Sequence, residues 1–393
     1  MFRIRTYNKI APAGLAVLKE AGFHVSADEA NPDGILVRSA DLNEMEISPS
    51  LKAIARAGAG YNNIPVDRSS ERGIVVFNTP GANANSVKEL VIAGLLLSAR
   101  QIVQGITWTR TLQGSGDEVE SLVEKGKGAF AGPEISGKTL GVVGLGAIGV
   151  MVCNAAEALG MRVIGYDPYL SVESAWGLSR SVQRASNLDQ LFSQSDYITL
   201  HVPLNNGTRN MVNPESIGRM KKGVRLLNFA RGGLVDDPAL LSALDSGAVG
   251  SYVTDFPTEE LLANERVLPV PHLGASTPEA EENCAIMAAR QLRDYLVTGN
   301  IKNSVNFPDC EMAPSENGRL IVANRNIPNM VGQITAILAQ EEQNILDLLN
   351  RHKGEMAYNI IDIAGNLSPE AVARMRAIDG VIMVREIKPH GTE

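Results

Sequence analysis

Cysteine is scarce. Cys153, Cys284 and Cys310 are scattered through 393 residues, with no C-x-x-C spacing and no partnering histidines. That excludes a disulfide framework and a readable zinc site, and it predicts buried, reduced thiols in a cytoplasmic protein. Tryptophan occurs twice and aromatic residues make up only 5% of the chain, so the core must be mainly aliphatic. Cations are outnumbered, 36 Lys and Arg against 44 Asp and Glu, for a net charge of −8. Such a chain has no general affinity for nucleic acid or an anionic membrane surface, and any anionic ligand must be held by local cations. Long apolar runs are missing as well: the run 90–99 is far too short to span a bilayer. The start, Met1-Phe-Arg-Ile-Arg, opens a strand and lacks the apolar region of a signal peptide. There is no internal repeat and no low-complexity tract.

Against these absences stands one organising stretch, 140–168. The apolar run 140–143 leads into Gly144-Leu-Gly-Ala-Ile-Gly149, then a helical segment, then Val163-Ile-Gly-Tyr-Asp-Pro. This reads as strand, glycine turn, helix, strand. Gly144 permits the tight turn, Gly146 lets a pyrophosphate approach the backbone, and Gly149 lets the helix pack on the strand. The helix N-terminus then offers N–H groups to phosphates. Asp167 closes the second strand, where a carboxylate accepts from ribose hydroxyls and repels a 2′-phosphate, so the cofactor expected is NAD.

Around this stretch the chain alternates short apolar runs with helical patterns. Strands are expected at 4–7, 23–26, 34–39 and 73–78, and helices at 11–21, 50–56 and 86–100. The βα rhythm resumes after 140 with strands at 196–203, 224–230, 251–254 and 267–270. Ligands of such sheets sit at the carboxyl ends of strands, so the tips 228–233, 256–260 and 271–276 are expected to face the cofactor. A long helix follows at 277–298, then a turn-rich linker. The C-terminal run reads β-α-β-β-α-β, a ferredoxin-like order.

Three segments then resemble the signatures of the D-isomer-specific 2-hydroxyacid dehydrogenases: Asn228-Phe-Ala-Arg-Gly-Gly-Leu-Val-Asp, Phe256-Pro-Thr-Glu and Pro271-His-Leu-Gly-Ala-Ser-Thr. Val37-Arg-Ser-Ala and Phe77-Asn-Thr-Pro-Gly are similar to that family's substrate-domain loops. The C-terminal unit, with Asn326-Ile-Pro-Asn-Met-Val-Gly, resembles an ACT domain. The resemblance implies an α/β architecture: a Rossmann-like NAD domain (99–274) inserted in a flavodoxin-like substrate domain (1–98 and 275–305), a linker (306–317), and a ferredoxin-like ACT domain (318–393). It implies a small phosphorylated 2-hydroxy acid as substrate, an amino acid such as L-serine as effector, and a homodimer or homotetramer.

Oxidising a secondary alcohol beside a carboxylate needs a base, a carboxylate clamp and a hydride acceptor. His272 is the candidate base, because imidazole titrates near working pH. Arg231 is the candidate clamp, its guanidinium fork matching a carboxylate. By resemblance Glu259 hydrogen-bonds the histidine, with Glu260 as the neighbouring alternative. Thr254 occupies the place of a family aspartate, and Asp255 follows it. Further cofactor contacts implied by the resemblance are Ala147 and Ile148 at the glycine turn, Thr79, Val202, Pro203, Phe229, Ala230, Asp255, Gly274 and Ala275, together with Arg231 and His272. For substrate the residues are Arg38, Ser39, the loop Gly58, Ala59 and Gly60, and Asn85 at a helix start beside Ser86, again with Arg231 and His272. Lys125 and Lys127 are additional phosphate candidates. His201 reads as a packed structural residue. Asn324, Asn326 and Asn344 are either effector contacts or turn and cap residues.

Overall fold

The structure is a computed structural model that describes residues 1–388; His390 lies outside them. The chain divides into two compact units, residues 1–82 with 278 onward, and residues 83–277.

In the first unit, five parallel strands lie in the order His24–Ser26, Arg3–Tyr7, Gly34–Val37, Ala53–Arg56, Val75–Phe77. This is the flavodoxin-like order. The segment 50–56, expected as a helix, is instead the strand Ala53–Arg56. Ala53, Ile54 and Ala55 are fully buried, and a strand covered on both faces loses the alternation that would mark it in sequence. The 21-residue helix Pro278–Thr298 returns to cover this sheet. It crosses the helix Pro12–Glu20 at Gly14, where a Cβ would stand 2.7 Å from Ala285.

The same unit contains a four-stranded antiparallel sheet in the order Ile345–Lys353, Met356–Ile363, Gly318–Arg325, Val381–Ile387. Helices Met330–Gln340 and Pro369–Arg376 cover one face through Leu320, Val322, Ile334 and Met375. Its other face carries Ile321, Ala323, Tyr358 and Ile360 into the core built on Ile4, Leu36 and Phe77. Every residue of Met356–Ile363 is buried. The arrangement is compatible with an ACT domain.

The approach to that sheet is anchored at several points, although its sequence reads as a linker. Phe307 and Cys310 are buried. The Asn306 side chain accepts from the Val76 N–H and donates to the Ile74 carbonyl. Arg319 forms a buried two-point bridge to Asp362, at 2.7 and 2.9 Å, and also donates to the carbonyls of Thr298 and Ala313.

The second unit is a seven-stranded parallel sheet. Its order is Val267–Pro269, Val249–Thr254, Val224–Asn228, Tyr197–Leu200, Thr139–Val143, Arg162–Tyr166, Gln183–Arg184. The order reverses direction at Thr139–Val143, the topological switch point of a Rossmann-type sheet. The helix Ala84–Ala99 packs in this unit, with Gly94 3.0 Å, measured from an added Cβ, from the ring of Phe229. Residues 101–139, irregular in sequence, contain the helices Ile102–Arg110 and Val119–Gly126. No single described helix is long and apolar enough to cross a membrane.

Candidate active site and nucleotide cradle

The glycine turn lies at the carboxyl end of Thr139–Val143 and opens the helix Ala147–Ala158. Gly144 has φ +92°, and a Cβ there would overlap the His201 carbonyl; one at Gly149 would overlap the Gly144 carbonyl. At Gly146, by contrast, a Cβ would meet nothing, and no side chain caps the helix. That helix start is exposed and free to receive a phosphate. Asp167 fixes the turn: Oδ2 accepts from the Leu145 N–H and Oδ1 from the Tyr169 N–H, both at 2.8 Å. A carboxylate has about four acceptor sites, so two backbone bonds leave capacity for ribose hydroxyls. Beside it lies a cavity of about 340 Å³ lined by Leu145, Asp167, Leu178 and Arg184. These features fit a dinucleotide. Arg184 had no sequence signal, because the strand carrying it is two residues long.

Three adjacent strands end on the same edge and carry the candidate reactive groups. Arg231 follows Val224–Asn228, Asp255 follows Val249–Thr254, and His272 follows Val267–Pro269. Asn228 shapes the first tip: its side chain donates to the Arg231 carbonyl at 2.9 Å and accepts from the Ala230 N–H at 3.1 Å. Arg231 and His272 are exposed. The His272 ring meets Phe256 edge-on at 4.7 Å between centroids.

Asp255 differs from its neighbours. It is 3% exposed, and neither carboxylate oxygen has a hydrogen-bond partner among the described residues. Burial pushes its carboxyl above the usual range, opposed by the charges of His272 and Arg231. Its Oδ2 lies 3.7 Å from where a Cβ of Gly274 would stand, so the third tip passes close to the carboxylate. Glu259 and Glu260 both stand exposed in the first turn of Glu259–Leu262, and neither is hydrogen-bonded to His272. Asp255 is a carboxylate on which the charge of His272 bears.

Other expectations separate in the same way. The ring of Phe229 lies in the core against Gly94. Val202 and Pro203 directly follow His201, beside the glycine turn. His201 is not available as a base: Nδ1 is buried without a partner, Nε2 is 3.0 Å from Thr199 Oγ1, and burial lowers its pKa to about 4. The helix near Asn85 starts at Ala84, so Asn85 and Ser86 lie inside its first turn, with Asn85 donating to Glu89 at 2.8 Å. Thr258 donates to Asp237, and exposed Lys127 pairs with Glu124.

In the first unit, Arg38 is bound to Glu281 at 2.6 Å. The N–H groups of Ser39 and Ala40 converge on Asn8 Oδ1. The loop Gly58–Ala59–Gly60 lies over Arg56, a cation that sequence reading passed over; a Cβ on Gly58 would overlap its guanidinium. Thr79 is buried, and its N–H donates to the Gly58 carbonyl at 3.1 Å. Asn324 is consumed internally, donating to the Arg325 carbonyl and accepting from Asn359. Asn326 and Asn344 remain exposed. No cluster of metal-ligating side chains occurs among the described residues.

Residues 92–275 match the family model described as D-isomer specific 2-hydroxyacid dehydrogenase, NAD binding domain. The chain is 35% identical over 368 residues to D-3-phosphoglycerate dehydrogenase of Methanocaldococcus jannaschii, covering 90% of this chain and 67% of that protein. The chain belongs to the D-isomer-specific 2-hydroxyacid dehydrogenase family. The Bacillus subtilis D-3-phosphoglycerate dehydrogenase is 32% identical, over 91% of this chain and 68% of its own length. The rat protein of that name is 37% identical over 75% of this chain, which spans only 55% of it. Among solved structures, an NAD+-bound 3-phosphoglycerate dehydrogenase of Entamoeba histolytica superposes with a TM-score of 0.60 at 27% identity, covering 78% of this chain and 98% of that one. A glyoxylate reductase from Paecilomyes thermophila gives 0.63 at 27% identity, covering 77% and 98%. The second unit thus contains the NAD-binding domain of a 2-hydroxyacid dehydrogenase.

Proposed function

We propose that the chain is an NAD-dependent dehydrogenase that oxidises D-3-phosphoglycerate to 3-phosphohydroxypyruvate, the first step of L-serine biosynthesis. The convergence of Arg231, Asp255 and His272 on one sheet edge carries this reading, and the names of the relatives support the substrate. Gly144, Gly146, Ala147, Ile148 and Gly149 hold the pyrophosphate, and Asp167 holds the adenosine ribose. Bound NAD supplies the hydride acceptor.

The chain's own groups do the rest. Neutral His272 takes the C2 hydroxyl proton, so the alcohol loses one proton and one hydride. Arg231 grips the C1 carboxylate and polarises the C2 oxygen as it becomes a carbonyl. Asp255, buried on the same edge, is the carboxylate that can balance the imidazolium that forms. Arg38 and Arg56 are the cations that the first unit offers to a substrate phosphate. Asn326 and Asn344 remain the effector candidates. Exposed Ile102, Val103 and Ile106 on one helix favour a homo-oligomer.

The test is a comparison of NADH oxidation rates on 3-phosphohydroxypyruvate, 2-oxoglutarate, glyoxylate and pyruvate. The highest kcat/KM is expected on the first. A higher value on another 2-oxo acid would transfer the assignment to that substrate, and no turnover on any would contradict the dehydrogenase reading.

A further inference from the structure

Arg38 directly follows the strand Gly34–Val37, and Arg56 ends the neighbouring parallel strand, in register with Val37. Both cations therefore stand at the carboxyl edge of the first sheet, where sheets of this kind receive ligands. The first turn of Pro278–Thr298 brings a carboxylate to the same edge: Glu281 Oε1 is 2.6 Å from Arg38 Nη2. Cys284 lies one turn further along that helix. Burial raises its thiol pKa, the fields of Arg56 and Arg38 oppose that, and Glu281 adds to it. One side chain thus senses both guanidiniums and this carboxylate, which places the three charges in one cluster.

The bridge is loosely made. Its side chains are 40% and 42% exposed. A guanidinium fork has several N–H donors, and a single contact leaves most of them available. An exposed pair of this kind contributes little to stability, so an incoming anion displaces it at small cost. The charges set the consequence. Arg38 and Arg56 alone suit a phosphate dianion, and Glu281 cancels one of their two positive charges. A phosphate that arrives at Arg38 must push the carboxylate aside or bear its repulsion, whereas a neutral hydroxyl at the same place meets neither cost.

We propose that Glu281 is a specificity-determining residue: a built-in counter-anion that occupies Arg38 until a substrate phosphate displaces it, and that lowers the affinity for phosphorylated ligands. It acts on the ligand through Arg38. The inference deepens the dehydrogenase reading and rests on it for the identity of the phosphorylated ligand.

Glu281→Gln tests this, because it keeps the shape of the side chain and an oxygen for Arg38 while removing the charge. 3-Phosphohydroxypyruvate and hydroxypyruvate differ only in the phosphate. The ratio of kcat/KM on the first to that on the second should rise by about three- to tenfold in the variant, through KM on the phosphorylated compound. A merely structural contact would move both substrates together. Glu282→Gln, at the next and exposed position of the helix, removes the same charge and should leave the ratio at its parental value. Titration calorimetry with 3-phosphoglycerate should show the same tightening for Glu281→Gln without turnover. The proposal is overturned if Glu281→Gln leaves the ratio and the Kd unchanged or lowers the affinity, or if Glu282→Gln shifts them equally. A parent that turns over neither compound contradicts the dehydrogenase reading instead. The calorimetric comparison then decides this proposal alone, and a parent that does not bind 3-phosphoglycerate overturns it.

Discussion

The carboxylate of Asp255 is buried without a hydrogen-bond partner among the described residues, and the charges of His272 and Arg231 bear on it. A protein keeps an unpaired buried charge at a cost, and here the nearby groups are those assigned to chemistry. Asp255→Asn should therefore stabilise the fold, by about 1 kcal/mol or more, while lowering kcat/KM. Thermal denaturation and steady-state kinetics on the same variant check both halves. Unchanged stability together with unchanged kcat/KM would remove Asp255 from the account.

Asp167 is the second point of attack. Its carboxylate holds the Leu145 N–H and is the group expected to exclude a 2′-phosphate. Asp167→Ala should raise KM for NAD by about tenfold, the loss of one or two charge-assisted hydrogen bonds, and narrow the preference over NADP. Arg184 lines the same cavity and should assist NADP in that variant. An unchanged cofactor ratio would count against the ribose role.

These two carboxylates show how far the sequence could be read. The glycine turn and Asp167 were legible because their spacing is itself the chemistry. The tips carrying Arg231 and His272 were legible for a related reason: parallel strands must end on one edge. What stayed hidden depended on packing. A strand buried on both faces, Ala53–Arg56, has no alternation to separate it from a helix. Polar, turn-rich 306–317 looked like a free linker, yet Asn306 ties it down through bonds to a distant strand. Asn324 reads equally as an effector contact or a structural residue, and its bond from Asn359 could not be read from spacing. The buried carboxylate of Asp255 had only a faint signal, the aspartate standing one place after Thr254.

His201 gives the acid response a sign. Burial holds its pKa near about 4, below the ordinary 6.5, so the unfolded chain binds the proton first as pH falls. Stability from this group is complete above about pH 6.5 and is lost as pH drops toward 4, by about 3 kcal/mol at most. Urea titrations across that window should show a shallower pH dependence for His201→Gln than for the parent. Parallel curves would show that His201 is not the group responsible.

The bridge between Arg319 and Asp362 is buried, with side-chain exposures of 3% and 10%. Removing one partner strands the other. Arg319→Met should cost about 3–5 kcal/mol, while the double variant Arg319→Met with Asp362→Leu should recover much of that loss. Chemical denaturation of the single and double variants measures the coupling; additive losses would show none.

The central claim is that His272 removes the substrate proton on an NAD-binding scaffold. It is tested most directly by measuring kcat for NAD-dependent oxidation of D-3-phosphoglycerate by His272→Ala, with NADH affinity followed by fluorescence on the same sample. The account predicts a fall in kcat of about 10²–10⁴-fold with NADH affinity unchanged. Near-parental turnover with NADH still bound would contradict it.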